Sequence, residues 1–173
     1  MSEIISLSLE QLATKIKDAQ LSSVDVCKAF IERIEKYEKD IKAWVHFDKK
    51  VLLEKAEEAD EHRRSGKPLG SLHGVPVAVK DIIGTIDMPT ECGTVIRKGK
   101  SYSQNAEIID MLHSAGALVM GKTATSELAF LGPQRQPILM IIQEHQEVLQ
   151  VARLQPLLLL WHQFQLDLKQ VVQ

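Results

Sequence analysis

The residues best placed to do chemistry lie in GSLHGVPVAVKD, Gly70 to Asp81. A glycine-bounded turn at His73-Gly74 leads into the apolar run Val75 to Val79, which ends abruptly in Lys80 and Asp81. A short β-branched run bounded by turn signals reads as a buried strand. Lys80 is then expected with its aliphatic stem in the core and its ammonium at the sheet's edge. Burial disfavours the charged form of a lysine, and this is how lysines come to serve as general bases near neutral pH. The same pattern also fits a solvated lysine that merely closes a strand. Cys92 follows in IIGTIDMPTECGT, a stretch rich in Gly, Thr and Pro that reads as loop. Neither a helix start nor a clear cationic neighbour argues for an activated Cys92 thiolate, and a structural thiol is the commoner case. His145 and His162 have no Cys or acidic partner at ligand spacing, so no metal site is expected, and no cofactor is expected either.

The whole chain sets the frame for these residues. At 173 residues it is long enough for one domain with a real core. Its composition, 45% hydrophobic and 25% charged, is ordinary for a soluble globular protein. A net charge of −2 gives no argument for nucleic acid or an anionic membrane as partner. Cys27 and Cys92, with no CxxC spacing, point to free thiols in a reducing compartment, and the N-terminus lacks the pattern of a signal peptide. The run Leu157 to Trp161 is far too short to cross a bilayer. A cytoplasmic location is expected.

The elements that must position the site can be placed in order. Ser8 caps a helix carrying Leu9, Leu12, Ile16 and Ala19. A second helix starts at Ser22 or Ser23 with Asp25 in its first turn, and Cys27, Phe30, Ile31, Ile34 and Tyr37 share its apolar face. Ile41 to Phe47 is a short extended segment around Trp44, and Asp48 caps a third helix through Leu52, Leu53, Ala56 and Ala59. After the loop, Asn105 is expected to cap a helix over Ala106 to Ser114, with Ile108, Ile109 and Leu112 inward and Gly116 as its stop. Ala117 to Met120 reads as a second buried strand ending at Gly121-Lys122, and Thr123 to Pro133 as loop and short helix. Strand, loop, helix, strand predicts an α/β fold with a partly parallel sheet behind a helical N-terminal layer.

LHGVPVAVKDIIGT, the helix that follows, and AGALVMGKTATSELAFLGP together resemble the N-terminal part of an amidase signature enzyme. The resemblance covers about Leu7 to Pro133. It implies the first part of a mixed-sheet core and a hydrolase of carboxylic amides with a Ser–Ser–Lys mechanism. Lys80 matches the catalytic lysine, which acts as base towards a bridging serine that in turn activates the nucleophile. The implied substrate is a small-molecule amide. Both serines are missing: the family carries them in a GGSSSG segment and a later GGS turn, beyond the position of Pro133. Ser114 and Ser126 are the nearest substitutes, and neither lies in a Gly-rich turn. The expectation is a chain that keeps the base alone, inactive as it stands, with strands Val75–Val79 and Ala117–Met120 lacking neighbours and prone to self-association or aggregation.

From Gln134 to Gln173 the composition changes. No glycine follows Gly132, one lysine remains, and Gln and Leu are in excess. Joining the third base of each codon to the first two of the next gives a coherent alternative reading. Pro137 to Pro156 then permits NPHDYSRTPGGSSSGSAAA, with Asp forced at the Met140–Ile141 junction, and Leu168 to Gln173 permits QTGGS. These match the family's bridging-serine and nucleophile segments. Residues 1–133 are accordingly expected to be the N-terminal part of an amidase domain, and residues 134–173 an out-of-frame tail. The alternative is a genuine tail in which Val148, Val151, Ala152, Leu154, Leu157 to Trp161, Phe164, Leu166, Leu168 and Val171 form an amphipathic helix broken at Pro156. Such a helix could cover the sheet or dock a partner, making the chain a non-enzymatic interaction protein.

Overall fold

A computed structural model describes residues 2–130. The expectations for residues 134–173, the tail helix among them, fall outside that range. The elements are α1 (Ser2–Ile5), α2 (Leu9–Lys17), α3 (Ser23–Ile41), β1 (Trp44–Phe47), α4 (Lys49–Arg64), β2 (Pro76–Lys80), α5 (Glu107–Ser114) and β3 (Leu118–Thr123). Among the described residues no helix is long and apolar enough to cross a membrane.

The helix starts follow from short polar side chains that accept the first free N–H groups. Ser8 and Gln11 form a reciprocal capping box at α2, with Gln11 N–H donating to Ser8 Oγ and Ser8 N–H to Gln11 Oε1. Ser22 Oγ accepts from Asp25 N–H at 2.9 Å, and Asp48 Oδ1 accepts from Lys50 N–H at 2.8 Å. Helix α5 departs from expectation. Its N-cap is Ala106, which has no side chain to cap with. Asn105 instead accepts from Ile86 N–H and donates to Asp110 Oδ1, tying the loop to the helix. Helix α3 also runs further than the apolar spacing suggests. It ends at Ile41, and Lys42 turns left-handed with φ +51° before β1 begins at Trp44. Tyr37 is not on the buried face: it is 37% exposed, beneath the side chains of Arg33 and Lys36.

The sheet has the order β1-β3-β2, with β2 and β3 parallel and β1 antiparallel to β3. The fold is therefore α/β with a small mixed sheet. Strand β3 has neighbours on both sides, contrary to the expectation that it would lack them, because β1 returns to pair with it. It is also longer than Ala117–Met120 and includes Gly121 and Lys122. Gly121 allows this: a Cβ there would collide with His46 O and come within 3.0 Å of the Trp44 ring, both on β1. Met120 has no counterpart on β2, so a bulge falls between the Val77 and Ala78 pairings.

Helices cover both faces. On one, Cys27 and Ile31 of α3 and Leu52, Ala56 and Ala59 of α4 pack on Leu118 and Met120. On the other, Ile109 and Leu112 of α5 pack on Val77, Val79 and Val119. Leu12 and Ile16 of α2 close the end of the sheet against Val26 and Val75. A buried carboxylate joins the helical layer. Asp60 of α4 is 3% exposed and accepts the N–H groups of Ser23 and Val24 at the start of α3, at 2.8 and 3.2 Å, with Arg63 at 3.6 Å. Its negative charge also complements the positive end of the α3 dipole. Replacing Asp60 by Ala leaves those N–H groups buried and unpaired, and urea unfolding is expected to show a loss of about 2–3 kcal/mol. A loss no larger than that of an exposed Glu→Ala control would contradict this role.

Candidate active site

Parallel pairing of β2 with β3 sets Lys80 opposite Thr123 at the C-terminal end of the sheet. In an open α/β sheet this end is where ligands bind. Side chains alternate along β2, so Val77 and Val79 go into the α5 core while Ala78 and Lys80 face the other way. Helices α3 and α4 cover β1 and β3 on that side and leave Ala78 and Lys80 exposed. The expected placement of Lys80 is thus corrected. Its stem is not in the core, because β2 is an edge strand among the described residues and no helix lies over it there.

Among the described residues the buried lysine is Lys122, with 0% exposure. Its Nζ donates to Ile83 O at 2.5 Å and to Thr90 Oγ1 at 2.7 Å. Burial pushes its pKa below 10.5, opposed by the carboxylates of Asp81 and, after it, Asp87. The sequence showed Lys122 only as the residue that follows the strand. No alternation marks it for burial, because the bulge at Met120 resets the faces of β3 and residues 118–122 are buried in succession. Thr90, fully buried, was also missed, since nothing in a Pro-Thr-Glu loop marks a threonine for burial.

The chain leaves Lys80 through a tightly held turn. Lys80 O accepts from Ile82 and Ile83 N–H, and Asp81 N–H extends the strand ladder to Thr123 O at 2.9 Å. Asp81 is 1% exposed. Its Oδ1 accepts from Glu91 N–H at 3.1 Å, its carbonyl accepts from Cys92 N–H at 3.0 Å, and its Oδ2 has no partner. Thr90 N–H donates to Lys100 O. Cys92, half-buried with φ +55°, is followed by Gly93 with φ +65°, where a Cβ would come within 2.7 Å of Thr125 O. That close approach brings the 92–94 loop onto the segment after β3. There Thr94 Oγ1 donates to Glu127 Oε1 and Leu128 N–H to Cys92 O. Ser126 precedes a single 3₁₀ turn, Glu127–Ala129, and its hydroxyl caps nothing; Ser114 closes α5. The structure brings Lys122 and Thr90 into contact beside Asp81 and Cys92, while the Lys80 side chain lies on the opposite face of β2; among the described residues neither Ser114 nor Ser126 lies in a Gly-rich turn. A separate groove of about 610 Å³ lies between α2 and residues 69–73, and none of these residues lines it.

This is the lysine-bearing corner of a small α/β core, and comparison with known proteins gives it a family. The Amidase family model matches residues 25–141. The chain belongs to the amidase family, whose members carry the amidase signature. The A subunit of glutamyl-tRNA(Gln) amidotransferase from Streptomyces coelicolor is 37% identical over 129 residues, which is 75% of this chain and 26% of that protein. Among solved structures, the peptide amidase of Stenotrophomonas maltophilia is 30% identical with a TM-score of 0.64, covering 69% of this chain and 25% of its own. A fatty acid amide hydrolase is 29% identical with a TM-score of 0.68, covering 72% of this chain and 22% of its own. The chain spans about a quarter of the length of these relatives.

The two thiols should differ in reactivity. Burial and, after it, the Asp60 carboxylate push Cys27 up to about 12, so it offers almost no thiolate at neutral pH. A disulfide-exchange reagent at pH 7.5 is expected to titrate Cys92 alone in the native chain and both thiols in urea. Native labelling of Cys27 at the rate of Cys92 would contradict this. Lys122 has a signature of its own. Its pKa is lower folded than unfolded, so the unfolded state binds the proton more tightly and stability rises as pH approaches 10.5 from below. Lys122→Met should flatten that rise in urea unfolding; an unchanged slope would argue against a desolvated ammonium.

Proposed function

We propose that the chain is the base-bearing N-terminal portion of an amide hydrolase, with Lys80 as the general base. The observation that carries this reading is Lys80 itself. It ends the parallel strand of the matched VAVKD stretch, with its amine uncovered on the sheet face and the following turn fixed to β3. In the Ser–Ser–Lys mechanism a neutral lysine amine takes the proton of a bridging serine, which takes that of the nucleophile. The nucleophile then attacks the amide carbonyl, and the proton returns to the departing amine. The relatives named above support amides as the substrate class. The free thiols of Cys27 and Cys92 support a reducing, cytoplasmic location.

No serine follows Ser126 in this chain, so the base has neither partner. The family match runs to residue 141 and no further, and the alternative codon frame from Pro137 onward permits both serine segments. We infer that residues from about Gln134 are an out-of-frame product of an amidase gene. The apolar side chains of Val95, Ile96, Leu128 and Phe130 are 86%, 82%, 59% and 74% exposed, which supports self-association of the chain as it stands.

The purified chain is expected to hydrolyse a panel of small primary amides and anilides no faster than buffer, with or without Lys80→Ala. Turnover that depends on Lys80 would overturn the inactivity. Restoring the alternative frame through both serine segments is expected to give an amidase whose kcat/KM falls about a thousandfold or more in Lys80→Ala. A frame-restored enzyme indifferent to that substitution would remove Lys80 from the mechanism.

A further inference from the structure

We propose that Lys122 is a positioning residue for Lys80: its enclosed ammonium clamps the turn that leaves Lys80 and so fixes how Lys80 departs from the sheet. The inference rests on the reading of Lys80 as the base. The geometry is that of a three-point tie. Lys122 pairs in register with Val79, the residue before Lys80. Its Nζ crosses beneath the strand end to Ile83 O at 2.5 Å and Thr90 Oγ1 at 2.7 Å. Ile83 N–H in turn donates to Lys80 O at 3.0 Å. On the other side, Asp81 N–H is held by Thr123 O at 2.9 Å. The peptide that follows Lys80 therefore lies between two anchors, both carried by β3, and one of them is the Lys122 side chain.

Chemistry argues that this is more than packing. An ammonium with 0% exposure is costly, and a methionine would fill the same volume without that cost. What a lysine adds is several donors on one centre, able to serve a strand-end carbonyl and a loop hydroxyl together. Asp81 completes the arrangement. Its carboxylate is 1% exposed with Oδ2 unpartnered, and it is the negative charge acting most strongly on Lys122. Asp81 is also the residue next to Lys80, so the counter-charge to the clamp is built into the turn that the clamp holds.

The test uses isotope-labelled full-length chain and its Lys122→Met, Lys122→Gln and Thr90→Val variants. Carbonyl and Cα chemical shifts report the backbone angles of Lys80 to Ile83, and amide exchange reports the loop from Ile82 to Cys92. In Lys122→Met the Lys80–Ile83 shifts should move while those of α2, α3 and α4 stay in place, and loop amides should exchange about tenfold or more faster. Lys122→Gln keeps an N–H donor one atom closer to the backbone and is expected to return the shifts part of the way towards the parent. Thr90→Val removes one partner without touching the charge and should move the same shifts less; it stands in for the methionine variant if that chain does not fold. Unmoved Lys80–Ile83 shifts in the folded variants, or equal effects of Met and Gln, would overturn the proposal. These readouts do not depend on amide turnover. A frame-restored enzyme indifferent to Lys80 would sink the base while leaving the clamp to be decided here.

Discussion

The parallel pairing of β2 with β3 is the interaction on which the rest of this structure depends. It puts Lys80 level with Thr123 and carries the ladder one residue further, to the N–H of Asp81. It also places Lys122 beside Val79, from where its side chain reaches the returning loop. Strand alternation does the remainder. Val77 and Val79 secure β2 to the α5 side, and Lys80 is thereby forced to the opposite face, which α3 and α4 leave open over β2. A slip of β2 by one residue would turn Lys80 to the α5 side and press it against Ile109 and Leu112.

Around that pairing, among the described residues, three carboxylate or ammonium side chains that ordinarily stay in water are buried: Asp60, Asp81 and Lys122. Each is tied to backbone rather than to a single opposite charge. Asp60 takes two N–H groups at a helix start, Asp81 takes one from the returning loop, and Lys122 gives to a carbonyl and a hydroxyl. Such bonds join segments distant in sequence at fixed points, which an apolar contact of similar area would leave free to slide. The cost is that removing any one member leaves the others buried and unpaired.

Much of the frame was legible in the residues because it is local. Ser8, Ser22 and Asp48 act on N–H groups two or three positions ahead, and the strand at Val75 to Val79 announces itself by β-branched residues between glycine and lysine. What escaped reading is tertiary. Asn105 has the chemistry of a cap but spends it on Ile86 and Asp110, and Tyr37 has the spacing of a core residue on a helix that outruns its partner. The burial of Lys122 and the exposure of Lys80 depend on which strand is central, and that was decided by β1 returning from another part of the chain. The proposed serine segments were legible only at the level of codons, since residues 134–173 contain no serine and no glycine.

The central claim, that this is an amidase base parted from its serines by a change of frame, is tested most directly by the nucleotide sequence from the codon of Leu131 to beyond that of Gln173. The account predicts that the alternative frame reads through GGSSSGS and QTGGS and stays open past the present stop. A frame that is closed, or that spells neither segment, would contradict it and make residues 134–173 genuine coding sequence.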